Sequence, residues 1–200
     1  GKRKYQHVYM RADEFKNIDV NLTFFETEKT MIEKFIEDLE TYDPDVIIGW
    51  HVVGFDLRFL EKRCHKLGIK FNIGRQKSEA IIEEKKGFGS FAKIAGRIVL
   101  DGPPTLRSAF LQYKNFKLET VASEVLGVGK DIASDSGKVS EIERRFKEDK
   151  IALAKYNLLD CTLVTEIYEK LDLIHFCVDR VKISGLLFEK QGISTASYDH

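Results

Sequence analysis

Two short apolar runs, Val46-Ile47-Ile48 and Ile98-Val99-Leu100, constrain the fold of this chain more than any other feature. The first lies between Asp43-Pro44-Asp45 and Gly49, and the second ends at Asp101 and Pro103-Pro104. A continuous apolar run of this length, bounded by turn formers, is the pattern of a strand covered on both faces. The segments around them have helical spacing instead. Met31, Ile32, Phe35, Ile36 and Leu39 recur on one face, with Thr27 as cap, Glu28 in the first turn and Asp43-Pro44 as stop. A second helix is expected from about Gly54 to Leu67, with Phe55, Phe59 and Leu60 as its stripe and Gly68 as terminator. Leu106, Phe110 and Leu111 suggest a short helix, and Leu118 to Leu126, closed by Gly127, another. A long helical pattern runs from about Ile151 to Leu171. Short strands are expected at 5–10 and 18–25; residues 72–92 are mixed and Gly-punctuated, with "EEKKGFGSF" reading as an exposed hairpin or loop. Strands alternating with helices predict an α/β fold, a mixed sheet flanked by helices.

Composition narrows the function classes. Apolar residues make up 43% and charged residues 32%, enough apolar side chains for a real core. The 32 basic and 32 acidic groups cancel, which argues against a wholly basic nucleic-acid-binding surface but allows a local basic groove. Cys64, Cys161 and Cys177 show no metal-ligand spacing and read as reduced thiols of a cytoplasmic protein. No stretch reaches the roughly 18 apolar residues of a membrane span, and Gly1-Lys2-Arg3-Lys4 is not followed by the apolar region of a signal peptide.

The chemistry points to carboxylates. Asp56 follows an apolar run and a glycine. Tyr156 and Asp160, four apart on the long helix, share a face, and Leu158, Leu159, Leu163 and Val164 can hold that helix against a sheet. Two carboxylates from distant segments suit Mg²⁺ or Mn²⁺, which take oxygen ligands, and phosphoryl chemistry often uses two such ions about 4 Å apart. Tyr156 could orient an attacking water. Ordinary explanations compete: an acid early in a helix favours the dipole, and such Tyr/Asp pairs are common on solvated faces.

The motifs taken in order add more. "YDPDVIIGWHVVGFDLRFL" resembles the second exonuclease motif of the family-B DNA polymerases, and "YNLLDCTLV" resembles the third, a Tyr-x-x-x-Asp helix. "AGRIVLDG", "FKLETVASEVLGVGK" and "EIERRFKEDKIALAKYNLLDC" are similar to bacterial polymerase II-like members in matching order. The resemblance runs from Tyr5 nearly to the last residue. It implies an RNase H-like 3′→5′ proofreading exonuclease domain. Asp56 and Asp160 would be metal ligands, Tyr156 would position the water, and His51 and Phe55 would lie near single-stranded DNA. The loop from about Lys77 to Lys93 would help separate the primer end. It also implies residues 1–175 as a partial exonuclease domain and 176–200 as the lead-in to a polymerase palm.

Two departures stand out. His51 occupies a position where that family usually has Asn. The first exonuclease motif, Asp-x-Glu, has no match. Glu26-Thr27-Glu28 echoes it, but these residues open a helix, where the dipole already accounts for acids. The expectation is therefore a fragment of a DNA-directed DNA polymerase beginning after the family's first two strands, with two ions in the complete site and weak or absent binding here. As supplied, the chain is expected to be inactive or nearly so. It has no palm Asp-Thr-Asp and should not polymerise DNA. Expected partners are a single-stranded 3′ end, primer-template DNA and the remainder of the polymerase, in the cytoplasm at the nucleoid. A second copy is a further expectation, because the strand at 46–49 would expose an edge where the missing strand belongs. The competing reading is a non-catalytic DNA-binding or scaffold module with an RNase H-like shell.

Other features carry less. Gly127-Val128-Gly129-Lys130 follows a helix and lacks phosphate-loop spacing. The histidines are dispersed, Arg144-Arg145 reads as a solvated face, and Phe24-Phe25 and Phe55/Phe59 read as core.

Overall fold

The computed structural model describes residues 6–12, 21–85, 89–128, 138–186 and 188. Parts of the strands expected at 5–10 and 18–25, the Gly129-Lys130 pair and most of 176–200 beyond Leu186 lie outside those residues. The strands are β1 (Val8–Arg11), β2 (Leu22–Phe25), β3 (Val46–Gly49), β4 (Ile81–Lys85), β5 (Gly89–Lys93) and β6 (Ile98–Asp101). The helices are α1 (Glu28–Tyr42), α2 (Arg58–Leu67), α3 (Gly102–Ser108), α4 (Leu118–Leu126), α5 (Lys138–Glu148), α6 (Lys150–Lys170) and α7 (Leu173–Ser184).

The α/β character holds, but one mixed sheet does not form among the described residues. β1 pairs with β2 and β3 with β6, both parallel, while β4 and β5 form an antiparallel hairpin. Helix α6 touches both β1 and β3, so it joins the two parallel pairs without merging them.

Period-two alternation makes β3 and β6 a partition. Ile47 and Val99 face a core of Ile32, Leu57, Cys64, Phe71 and Ile73. Val46, Ile48, Ile98 and Leu100 face the other core, built on Leu106, Val121, Leu163, Ile167 and Tyr168. Both runs are thus covered on two faces, as their composition implies. The Tyr168 hydroxyl donates to the Leu100 carbonyl at 3.0 Å, fastening α6 to β6. A third cluster sets Val8, Met10 and Leu22 against Ala154 of α6.

Local signals account for most boundaries. The Thr27 hydroxyl accepts the Thr30 N–H at 3.1 Å, and α1 ends at Asp43 in the left-handed region (φ 45°). Arg97, inside the core at the foot of β6, donates to the carbonyls of Ile73 (2.8 Å) and Pro44 (2.5 Å) and pairs with Asp43 at 3.0 Å. It ties the end of α1 to the start of β3.

The structure corrects three expectations. The helix expected from Gly54 begins as a π-turn, Val53–Leu57, and becomes α-helical only at Arg58. Its inward face is Val53, Leu57 and Cys64, so Phe55 and Phe59 are not core: they are 72% and 57% exposed. Phe110 lies beyond α3, which starts early on Gly102-Pro103-Pro104, and is exposed, as is Leu159 on the outer side of α6. No helix among the described residues is long and apolar enough to cross a membrane.

Candidate active site

The site grows from the C-terminal ends of β3 and β6, where Gly49 and Asp101 stand side by side in register. The chain folds back immediately after Gly49. A Cβ there would lie 2.5 Å from the Val52 Cβ, so only glycine admits the fold-back. Trp50 covers Gly102, where an added Cβ would sit 2.4 Å from the indole Cε3, and its Nε1–H donates to the Phe116 carbonyl at 2.9 Å. His51 adopts φ 57°, a left-handed conformation costing a non-glycine residue about 1–2 kcal/mol. The compensation is visible: its N–H donates to Asp101 Oδ1 at 2.6 Å, and the Val53 N–H donates to Oδ2 at 3.4 Å.

The π-turn follows, closed by Phe55 N–H to the His51 carbonyl (3.0 Å) and Leu57 N–H to the Val52 carbonyl (2.8 Å). Such turns recur at functional sites. The β4–β5 hairpin rests on it at Gly54, where an added Cβ would meet the Ser90 hydroxyl at 3.2 Å. Arg58 and Glu84 form an ion pair across the same contact at 3.2 Å.

Asp56 projects from this turn. Loss of surrounding water raises its carboxyl pKa, the negative charge of Asp101 adds to the rise, and its own backbone hydrogen bond and His51 oppose it. Asp101 is itself raised by burial, against the pull of the His51 and Val53 amides. On α6, Asp160 is half-buried beside the exposed Cys161. Burial first raises that thiol's pKa, and the charges of Asp160 and Asp56 raise it further. Asp56, on the turn, is thus within electrostatic reach of Cys161, the residue that follows Asp160 on α6. Tyr156 lies one helical turn before Asp160, with the Arg145 guanidinium 5.9 Å from its ring centre. Arg145 is therefore not simply part of a solvated face. Phe55 stands exposed beside Asp56, and His51 is exposed at the turn.

Glu28 is occupied elsewhere. Arg63 Nε donates to its Oε1 at 2.5 Å and Nη2 to its Oε2, a bidentate pair that holds its carboxyl below the ordinary value.

The donor set was tested against a divalent cation. Asp56 and Asp160 supply hard carboxylate oxygens, and one Mg²⁺ is commonly held by one or two carboxylates plus substrate phosphates. Among the described residues, no group of three or more His, Cys, Asp or Glu could hold an ion by itself. Asp56 and Asp160 are of the donor type such a cation takes, and a substrate would have to supply further oxygens.

Sequence reasoning missed the roles of Asp101, Cys161 and Ser90 and read Arg145 as a solvated face. Asp101 had one signal, an acid placed directly after a buried strand; Cys161 and Ser90 had none.

With this geometry described, comparison with known proteins is informative. The profile of the DNA polymerase family B exonuclease domain matches residues 3–121. DNA polymerase II of Escherichia coli (strain K12) is 42% identical over 199 residues, covering 96% of this chain and 25% of that protein. The DNA polymerase of Thermococcus sp. (strain 9oN-7) is 36% identical over 122 residues, 60% of this chain and 16% of that protein. The DNA polymerase of Desulfurococcus sp. (strain Tok) is 32% identical over 160 residues, 78% of this chain and 20% of that protein. The chain spans a quarter or less of the length of these relatives.

Proposed function

Because the chain belongs to DNA polymerase family B, within its exonuclease domain, we propose that it carries most of the 3′→5′ proofreading exonuclease of a polymerase II-like enzyme with an RNase H-like fold. The observation carrying this reading is the match of residues 3–121 to the exonuclease domain of that family, with Asp56 on the turn and Asp160 on α6 both acting electrostatically on Cys161. Their carboxylates would hold Mg²⁺ or Mn²⁺, and such an ion supplies charge stabilisation to a phosphodiester under attack. Tyr156 orients the attacking water through its hydroxyl, and Arg145 restrains its ring. Phe55 offers an exposed face on which a terminal base can stack, and His51 offers ring nitrogens for a hydrogen bond beside it.

The substrate is the 3′ end of single-stranded DNA frayed from a primer-template, and the remainder of the polymerase is the natural partner. Residues 176–200 lead toward a palm, and the complete protein works in the cytoplasm at the nucleoid. Among the described residues β3 pairs with β6 alone, and its other edge is where a strand from a second copy would add.

Nucleotide release from end-labelled single-stranded DNA with Mn²⁺ tests the reading, with circular dichroism to establish folding. Little or no release is expected from this chain, since two carboxylates are a partial donor set. Release abolished by Asp160→Ala would support the site and overturn the expectation of inactivity. Release unaffected by Asp160→Ala would remove Asp160 from it. A second reading is a non-catalytic DNA-binding or scaffold module, consistent with the lack of a three-ligand group among the described residues. Binding of single-stranded DNA without any response to Mn²⁺ would select that one.

A further inference from the structure

We propose that Asp101 is a positioning residue of this site: by accepting the backbone N–H groups of His51 and Val53, its carboxylate sets the turn that carries Asp56. The purpose served by Asp56 rests on the exonuclease reading above; the geometry does not. Asp101 is the last residue of β6, paired to β3 in register and so fixed to the partition between the two cores. From there each of its oxygens takes one amide of the fold-back, at 2.6 and 3.4 Å. Those two bonds bracket Val52, whose carbonyl in turn accepts the Leu57 N–H at 2.8 Å and closes the π-turn around Asp56. His51 is held in the left-handed region, and its N–H makes the first of the two bonds. The chain of constraint runs from the strand through a side chain into the backbone, and ends at the turn bearing Asp56.

The arrangement also assigns Asp101 a role distinct from that of Asp56. Asp56 projects from the turn, whereas Asp101 is half-buried with both oxygens engaged by backbone amides. An asparagine at 101 would keep one acceptor for His51 but turn an NH₂ group toward the Val53 N–H. An alanine would release both.

Amide exchange by NMR on the folded chain tests this in wild type, Asp101→Asn and Asp101→Ala, with Mn²⁺ line broadening as the second readout. In Asp101→Ala, exchange at His51 and Val53 should accelerate about tenfold or more, the loss expected for a charge-assisted hydrogen bond. Asp101→Asn should accelerate Val53 more than His51. Amides of Ile47, Val99 and Leu163 should stay unchanged in both. The Mn²⁺ concentration that half-broadens the Asp56 signal should rise about tenfold in Asp101→Ala and less in Asp101→Asn. Unchanged exchange at His51 and Val53 would overturn the proposal. So would equal acceleration throughout β3 and β6, since Asp101 would then be a general prop, or freed amides with unaltered Mn²⁺ response. A wild type showing no broadening at Asp56 or Asp160 would defeat the cation reading instead. The exchange pattern, with the Asp56 carboxyl chemical shift, would then decide the positioning role alone.

Discussion

Asp56 carries a carboxyl whose pKa lies above the ordinary 3.8, first through lost water and then through the charge of Asp101. A raised acid binds its proton more tightly folded than unfolded. Its contribution to stability is therefore greatest below the ordinary value and is lost as pH rises through the folded one. Asp56→Asn is accordingly expected to raise Tm at pH 7 and to leave it nearly unchanged at pH 3, while removing Mn²⁺ broadening at the site. Thermal unfolding at both pH values checks this, and a lower Tm at pH 7 would show a stabilising partner for the carboxylate. Deprotonation must also precede cation binding, so Mn²⁺ affinity should climb with pH across the same window. Asp56 and Asp160 were singled out from the sequence because the motifs that carry them are local. Asp101 was not, because an acid after a strand looks the same whether it ends the strand or holds a neighbouring loop.

Elements meet here through a few charged contacts. Glu28 at the start of α1 and Arg63 in α2 form a bidentate pair, each side chain 26% exposed. Arg63 holds the Glu28 carboxyl below its ordinary 4.5. The stabilisation is thus present above that value and lost as pH falls through the folded one. Arg63→Ala should lower stability at pH 7 and change it little once Glu28 is protonated, as read from urea midpoints at the two conditions. Element positions were largely legible: Thr27, Asp43, Gly68 and Gly127 stand at the helix ends they were expected to mark. The π-turn was not, because adding one residue to one turn shifts the helical phase without changing composition. That shift puts Val53 and Leu57 inward and leaves Phe55 and Phe59 outside.

Across the whole molecule α6 is the shared wall. Its N-terminal half packs Ala154 against β1 and β2, and its C-terminal half packs Leu163, Ile167 and Tyr168 against β3 and β6. Ala154→Leu should overfill the smaller cluster and cost about 1–3 kcal/mol. Amides of β1 and β2 should then exchange faster while those of β3 and β6 hold. Equal loss in both pairs would mean that they open as one unit. Sequence patterning identified strands but not which strands would pair, since pairing depends on long-range placement that no local period encodes. Trp50 is the one tryptophan in the chain, and it lies across Gly102 at the base of the turn bearing Asp56. Its ultraviolet emission is therefore a built-in optical gauge: without any attached label, the protein's intrinsic fluorescence comes chiefly from the hinge-point of its candidate site.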